Sequence, residues 1–325
     1  VVVPLIAPGS VRFVGEGLSR PECVLATAAG DLFTADWRGG VARLCPDGTQ
    51  HLYVGHSADL ADGPRPNGIA LRPDGSFLFA QLGSEQGGIW RLDRAGQVTP
   101  VLTEVDGVPL PPTNFVHADA SGTIWFTIST RLTPRARDYR ADAASGAIGV
   151  IDAKGARIVA DGLGYANECL PDPAGRFLYV NETFGRRLSR FPLLPGNALG
   201  PRQVVAEFGA GTFPDGMAFD TTGSVWIVSV VSNRLIRVCP ETGMQTMWLQ
   251  DASPAHLDWV EAAYRADAMG RAHLDTPGGA VLRQVSSLAF GGPGLTTGFL
   301  GCLLGDSIAC VAMPVAGHPP SHWLY

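Results

Sequence analysis

Lysine is almost missing from this chain: among 24 basic residues, Lys154 is the sole lysine and the rest are arginine. That imbalance reads as a coding bias, not a binding signal. Charge of any kind is sparse, at 17%, and the balance is acidic, at −6. Nucleic acid and anionic membranes are therefore disfavoured as partners. The six cysteines (Cys23, Cys45, Cys169, Cys239, Cys302, Cys310) show no CxxC pair and no framework spacing. Most lie in apolar runs, where cysteine packs as a small hydrophobe, so free thiols in a cytoplasmic protein are expected. No apolar run approaches the ~20 residues of a membrane-spanning helix, and the opening VVVPLIAPGS lacks the basic region of a signal peptide. GxSxG and HExxH are absent, and GHSAD at Gly55 fails the serine-hydrolase pattern. The glycine pairs in GLGYAN and GAGTF lack the dinucleotide fingerprint and read as turns. His117, in FVHAD, reads as a packed strand histidine.

What the chain has in quantity is glycine (41) and proline (25) on a 46% hydrophobic background, the composition of many short strands joined by turns. The stretch FPDGMAFDTTGSVWIV, residues 213 to 228, recurs in weaker form five more times. Aligned on Gly30, Gly75, Gly122, Gly175, Gly223 and Gly294, the copies place Glu22, Asn67, Asn114, Asn167, Asp215 and Ser286 in one column. Successive members stand 45, 47, 53, 48 and 71 residues apart, a period that fits propeller blades of four strands.

The predicted architecture is thus all-β: a six-bladed propeller, one closed domain over residues 1–325. The last unit ends with DSIACVAMPV and lacks an outer strand. SVRFVGEGL, near the start, resembles the outer strands of the other units and is predicted to complete the sixth blade, closing the ring. Two insertions break the period, at residues 130–146 and 251–279. In the second, Leu257, Val260, Tyr264 and Met269 stand near helical spacing after Ser253, a candidate cap, which predicts one helix over 254–269. The insertions are expected to set substrate choice through Arg131, Arg135, Tyr139, His256, Trp259 and His273.

If the copies surround an axis, their column side chains converge. Two carboxylates brought together repel unless a cation or proton intervenes. Glu22, Asn167 and Asp215 are therefore candidate ligands of one hard divalent ion, Ca²⁺ foremost, with Mg²⁺, Mn²⁺, Fe²⁺ and Zn²⁺ as alternatives. Asn67 and Ser286 also read as channel-lining polar groups that satisfy one another.

The segments PECV, PPTNFVHADASGTIWFT, ANECLPDPAGRFLYVNETFGRRLSRF and PDGMAFD together resemble the SMP-30/gluconolactonase/LRE-like family. That resemblance implies a six-bladed propeller with one divalent metal on its axis. The family's metal-binding glutamate, asparagine and aspartate fall on Glu22, Asn167 and Asp215, and its substrate-contacting asparagine on Asn114. Its substrate arginine falls on Pro112, which cannot donate a hydrogen bond. The resulting expectation is a metal-dependent lactonase acting on a sugar lactone or other small cyclic ester. Asp215 and Asn114 would be catalytic, and Asn114, Asn67, Arg131 and Arg135 would touch substrate. NETFGRRLSRF also resembles the strictosidine-synthase-like branch, so a metal-dependent isomerase, lyase or condensing enzyme is the alternative, and a non-catalytic metabolite-binding propeller a third. Either a monomer or a small homo-oligomer is expected.

Overall fold

Each repeat begins as a hairpin whose turn is set by its aligned glycine. In the computed structural model, which describes residues 6–325, all six of these glycines have φ between 65° and 88°. Residues 1–5, half of the opening stretch discussed above, lie outside the described residues. A side chain at such a φ is strained, so glycine supplies the turn at least cost. The N–H of Gly30, Gly75, Gly122, Gly175 and Gly223 each donates to the carbonyl three residues earlier at 2.9–3.1 Å. Five of the six turns leave five residues between the last paired strand positions, and the fourth, between Pro171 and Leu178, leaves six.

Six antiparallel units result, five of four strands and the fourth with a short extra strand, Ala198–Leu199, paired to its third. The first runs Val24–Ala26, Leu32–Asp36, Gly40–Leu44 and Gln50–Val54. The remaining inner strands are Pro66–Leu71, Phe115–Ala118, Ala166–Pro171, Thr212–Phe219 and Val285–Gly291. The second strands Leu32–Asp36, Phe77–Gln81, Ile124–Ile128 and Val225–Val231 are buried at every residue, because neighbouring blades cover both faces. Outer strands such as Gln50–Val54 are exposed or half-buried at every residue. Trp90, Trp125 and Trp226 are almost wholly buried in the second and third strands. Burying a large apolar side chain of this kind contributes roughly 1.5–3 kcal/mol.

Closure occurs as the sequence predicts. Arg12–Val14 pairs antiparallel with Ile308–Ala312, with Arg12 opposite Cys310, and forms the outer strand of the sixth blade. A second seam joins the last blade to the first: Ser286 Oγ donates to the Glu22 carbonyl at 2.9 Å and Cys302 N to the Pro21 carbonyl at 2.8 Å. A third tie comes from the C-terminal segment. Ala28 N donates to Trp323 O (2.8 Å), Ser321 Oγ to Ala118 O (2.9 Å) and His318 N to Phe219 O (2.8 Å). Blades one, three and five are held together by that segment.

Departures from expectation sit outside the blade sheets. A hairpin of Glu104–Val105 and Val108–Pro109, not foreseen, lies between blades two and three. The helix α1 spans Pro254–Arg265, shorter than predicted, with Ser253 Oγ accepting from His256 N at 3.2 Å. It stops where Asp267 takes φ 53° and Ala268 N turns back to Ala263 O at 2.8 Å. A second helix α2, Arg271–Asp275, follows. Five residues carry too little periodicity to be read from the sequence. All six cysteines are free thiols, and among the described residues no helix is long and apolar enough to cross a membrane.

Candidate metal centre and active site

The inner strands leave their ladders where the column residues stand. Pairing is interrupted between Pro66 and Ile69, Ala166 and Cys169, Pro214 and Met217, and Val285 and Ser287. A break of this kind re-aims a side chain that the pleat would send sideways. Gly68 and Gly216, each following a column residue, let adjacent inner strands come close. A Cβ on Gly68 would lie 2.7 Å from Phe115 Cα, and one on Gly216 would lie 2.5 Å from Ser287 Cα.

Four column members, Glu22, Asn114, Asn167 and Asp215, line one small cavity of about 40 Å³. All four are only 4–6% exposed. Each turns a side-chain oxygen with no hydrogen-bond partner into the buried interior: Glu22 Oε2, Asn114 Oδ1, Asn167 Oδ1 and Asp215 Oδ1. Leaving one such atom unsatisfied costs about 1–3 kcal/mol, more for a charged group. Four unpartnered oxygens around a single cavity fit a hard cation, and all are oxygen donors of the type Ca²⁺ takes. Among the described residues no three His, Cys, Asp or Glu side chains cluster as a metal site. The donors here are two carboxylates and two amide oxygens, a set that such a cluster does not include.

Hydrogen bonds settle which way the amides face. Thr183 Oγ1 donates to Pro214 O at 2.8 Å, so it accepts from Asn167 Nδ2 at 3.1 Å, leaving Asn167 Oδ1 for the cavity. Asn181 Nδ2 donates to Asp215 O at 2.9 Å and steadies that backbone. Burial pushes the Glu22 carboxyl up to about 7, with Arg20 and Asn67 opposing the shift. Burial raises Asp215 well above the usual carboxylate range, and the charges of Glu22 and Glu168 add to it. Both carboxyls therefore stand in a setting where a cation is the natural counter-charge.

Two column members have other partners. Ser286 is spent on the Glu22 carbonyl, and Asn67 Nδ2 donates to Asn114 O at 2.9 Å; neither lines the cavity. Of the two arginines singled out in the first insertion, Arg135 lines the cavity whereas Arg131 does not. Arg131 Nη1 is 2.7 Å from Asp161 Oδ1 in an exposed ion pair. From the second insertion the lining residues are Arg271 and Leu274. His256, Trp259 and His273 instead pack together, Trp259 stacking on His273 at 4.3 Å.

Several lining residues escape sequence reasoning. Arg20 stands two positions before Glu22, at φ 50°, with its guanidinium 4.4 Å over Trp37. Tyr165 and Phe184 join Tyr139, which was expected from the first insertion, in an aromatic wall, Tyr139 stacking on Phe184 at 4.4 Å. Glu168, beside Asn167 but outside this cavity, is buried with Oε2 accepting from Met217 N at 2.9 Å, and burial raises its carboxyl well above the usual range. The nearest sequence signal was adjacency: Arg20 and Glu168 flank column residues.

Comparison with known proteins follows this geometry. Residues 21–250 match the model of the SMP-30/Gluconolactonase/LRE-like region. A 6-deoxy-6-sulfogluconolactonase of Pseudomonas putida is 30% identical over 177 residues, covering 53% of this chain and only 57% of that protein. A gluconolactonase from Xanthomonas campestris has the same fold at 20% identity and TM-score 0.66, over 94% of this chain and 91% of that one. So does a calcium-binding protein, regucalcin, from Agrobacterium tumefaciens, at 17% identity and TM-score 0.63, over 99% of this chain and 95% of that one. With the matched region taking in the first five column residues and all four that line the cavity, the chain belongs to the SMP-30/gluconolactonase/LRE-like family.

Proposed function

We propose that the protein is a metal-dependent lactonase that hydrolyses the cyclic ester of a sugar acid or similar small molecule. The observation that carries this reading is the set of four unpartnered oxygens around one cavity. Relatives named as lactonases support the reaction class. Glu22, Asn167 and Asp215 would hold one divalent ion, Ca²⁺ foremost, with Asn114 beside them. Such an ion, when bound, polarises a carbonyl oxygen and makes water more acidic.

The chain's own groups supply the remainder. Asp215 accepts the proton of the attacking water as oxygen adds to the lactone carbonyl carbon. Asn114 orients the ester group and the oxyanion that develops on it. Collapse of the tetrahedral adduct breaks the ring C–O bond, and the departing alkoxide takes up the proton, giving the open hydroxy acid. Thr183 and Asn181 hold Asn167 and Asp215 in place. The aromatic wall and Leu82, Leu274 and Leu303 limit water around the ester.

Acid release from a panel of lactones, measured with calcium and again with a chelator, tests the proposal. Calcium-dependent release is expected. Absence of release from every lactone by a protein that holds one equivalent of metal would favour a different carbonyl reaction.

A further inference from the structure

The metal centre does not account for three arginines around it. Arg20, Arg135 and Arg271 all line the cavity that holds the four unpartnered oxygens. Arg20 and Arg271 also line a wider open cleft of about 610 Å³, so they stand where the small cavity meets it. A molecule reaching the oxygens from that cleft passes these two residues.

Two of the three have no carboxylate partner. Among the described residues no ion pair within 4.0 Å forms at Arg20 or Arg135, and the Nε of each is buried without a hydrogen bond. Arg271 is paired with Asp275, on its own helix. Aromatic faces aim the guanidinium planes and leave N–H edges free. Arg20 lies 4.4 Å over Trp37 and Arg135 5.6 Å from the Tyr165 ring centre. The Arg135 and Arg271 guanidiniums repel that of Arg20, and the Glu22 and Asp215 carboxylates attract it.

Charge bookkeeping gives the direction. A divalent cation between Glu22 and Asp215 matches those carboxylates. Four guanidiniums, counting Arg283 in the cleft, then face Asp275 and Asp306, which leaves two positive charges uncompensated. Like charges held close in a partly buried site call for an anion. Guanidinium forks suit oxyanions that accept two bonds at once.

We propose that Arg20, Arg135 and Arg271 form an anion subsite for a phosphate, sulfonate or carboxylate group that the substrate carries away from its scissile ester. The proposal rests on the lactonase reading for the ester but not for the subsite itself. It also gives the substrate donors that Pro112 cannot supply. Discrimination then arises from both insertions, since Arg135 comes from the first and Arg271 from the second, while Arg20 comes from the blade.

The test uses the full chain loaded with calcium. Glucono-1,5-lactone is compared with its 6-phosphate, its 6-deoxy-6-sulfonate and the 6-carboxylate analogue, which differ from it only at the far end. The anionic lactones are expected to show kcat/KM values roughly 10- to 100-fold higher, the worth of one or two hydrogen bonds to a charged group. The three anionic arms rank the oxyanions among themselves. Arg135→Gln and Arg271→Gln should remove most of that preference by raising KM for the anionic lactones. The neutral lactone should lose clearly less than the anionic ones, and metal content should not change. Equal or better use of the neutral lactone, or equal losses on both kinds, overturns the subsite.

Calorimetric titration of gluconate and 6-phosphogluconate separates this failure from failure of the lactonase reading. Both carry the same carboxylate, so any difference isolates the distal group. Tighter binding of 6-phosphogluconate that Arg135→Gln abolishes supports the subsite even where no lactone is opened. Equal binding of the two acids overturns it.

Discussion

Asn167 Nδ2 donates to Thr183 Oγ1 at 3.1 Å, and the hydroxyl of Thr183 is itself committed to the Pro214 carbonyl at 2.8 Å. One hydroxyl proton thus decides which end of an amide faces the cavity of the candidate metal centre. Thr183→Val removes the acceptor and frees Asn167 to rotate. Calcium affinity is expected to fall by about 10-fold or more, in the range that a supporting bond to a metal ligand is worth. Thr183→Ser should restore it. Competition with a fluorescent chelator reads both; an unaltered affinity in Thr183→Val would show that the relay does not orient the ligand.

Asp215→Asn carries two opposed expectations. In chelator at neutral pH the variant should melt at or above the wild type, because it removes a buried carboxyl beside Glu22 and Glu168. With calcium the wild type gains stability by mass action and the variant gains little. A variant that binds one equivalent of calcium at wild-type affinity would place the metal elsewhere.

Glu261 ties α1 to the blades through Arg186, Nη2 to Oε2 2.7 Å, with side chains only 10% and 12% exposed. Arg186 also lies 3.7 Å from the ring centre of Tyr264. Glu261→Ala strands that guanidinium, which costs about 3–5 kcal/mol in buried pairs. The expected outcome is a lower Tm and a higher KM, because α2 follows α1 and brings Arg271 and Leu274 to the cavity. Metal content should hold, since no ligand lies on the insertion. Loss of the metal in this variant would mean that the insertion supports the centre as well as the cleft.

Deleting residues 1–17 removes the strand Arg12–Val14 and leaves Ile308–Ala312 as an open edge. Aggregation or a large fall in Tm is expected. A soluble truncation with unchanged melting would show that the Ser286 and Cys302 bonds to blade one close the ring unaided.

At the other end of the axis, His322 and His117 line a chamber of about 290 Å³ with Asp119, Glu168 and His318. Burial lowers His322 to about 3, with His117 adding to the shift, and lowers His117 to about 4 against the pull of Asp119. A histidine lowered in the folded state takes its proton first in the unfolded chain. Its contribution to stability is full above pH 6.5, the ordinary value, and is lost as pH falls toward 3 to 4. Tm should drop between pH 6.5 and 4, and His322→Gln should flatten that drop. An equal slope in the variant would assign the acid sensitivity to other groups.

Much of this molecule was legible in the chain because its organising signal is local. A glycine at positive φ, eight residues after a polar one, sets a hairpin through contacts inside a single repeat. Counting those hairpins yields six blades, the column and the unpaired outer strand that Arg12–Val14 fills. What each column residue does was decided between blades. Ser286 and Glu22 are neighbours only because the ring closes, and that contact spends the serine hydroxyl. Asn67 gives its amide to Asn114 in the next blade, whereas Asn167 is turned by Thr183 toward the cavity. Arg131 and Arg135 are four residues apart in one insertion. The turn Arg135–Asp138 carries one into the cavity wall, while Asp161 holds the other at the surface. Arg20, Arg135 and Arg271 come from three distant parts of the sequence. No local pattern joins them, because their proximity follows from the curvature of the ring and from where two insertions fold back over its axis.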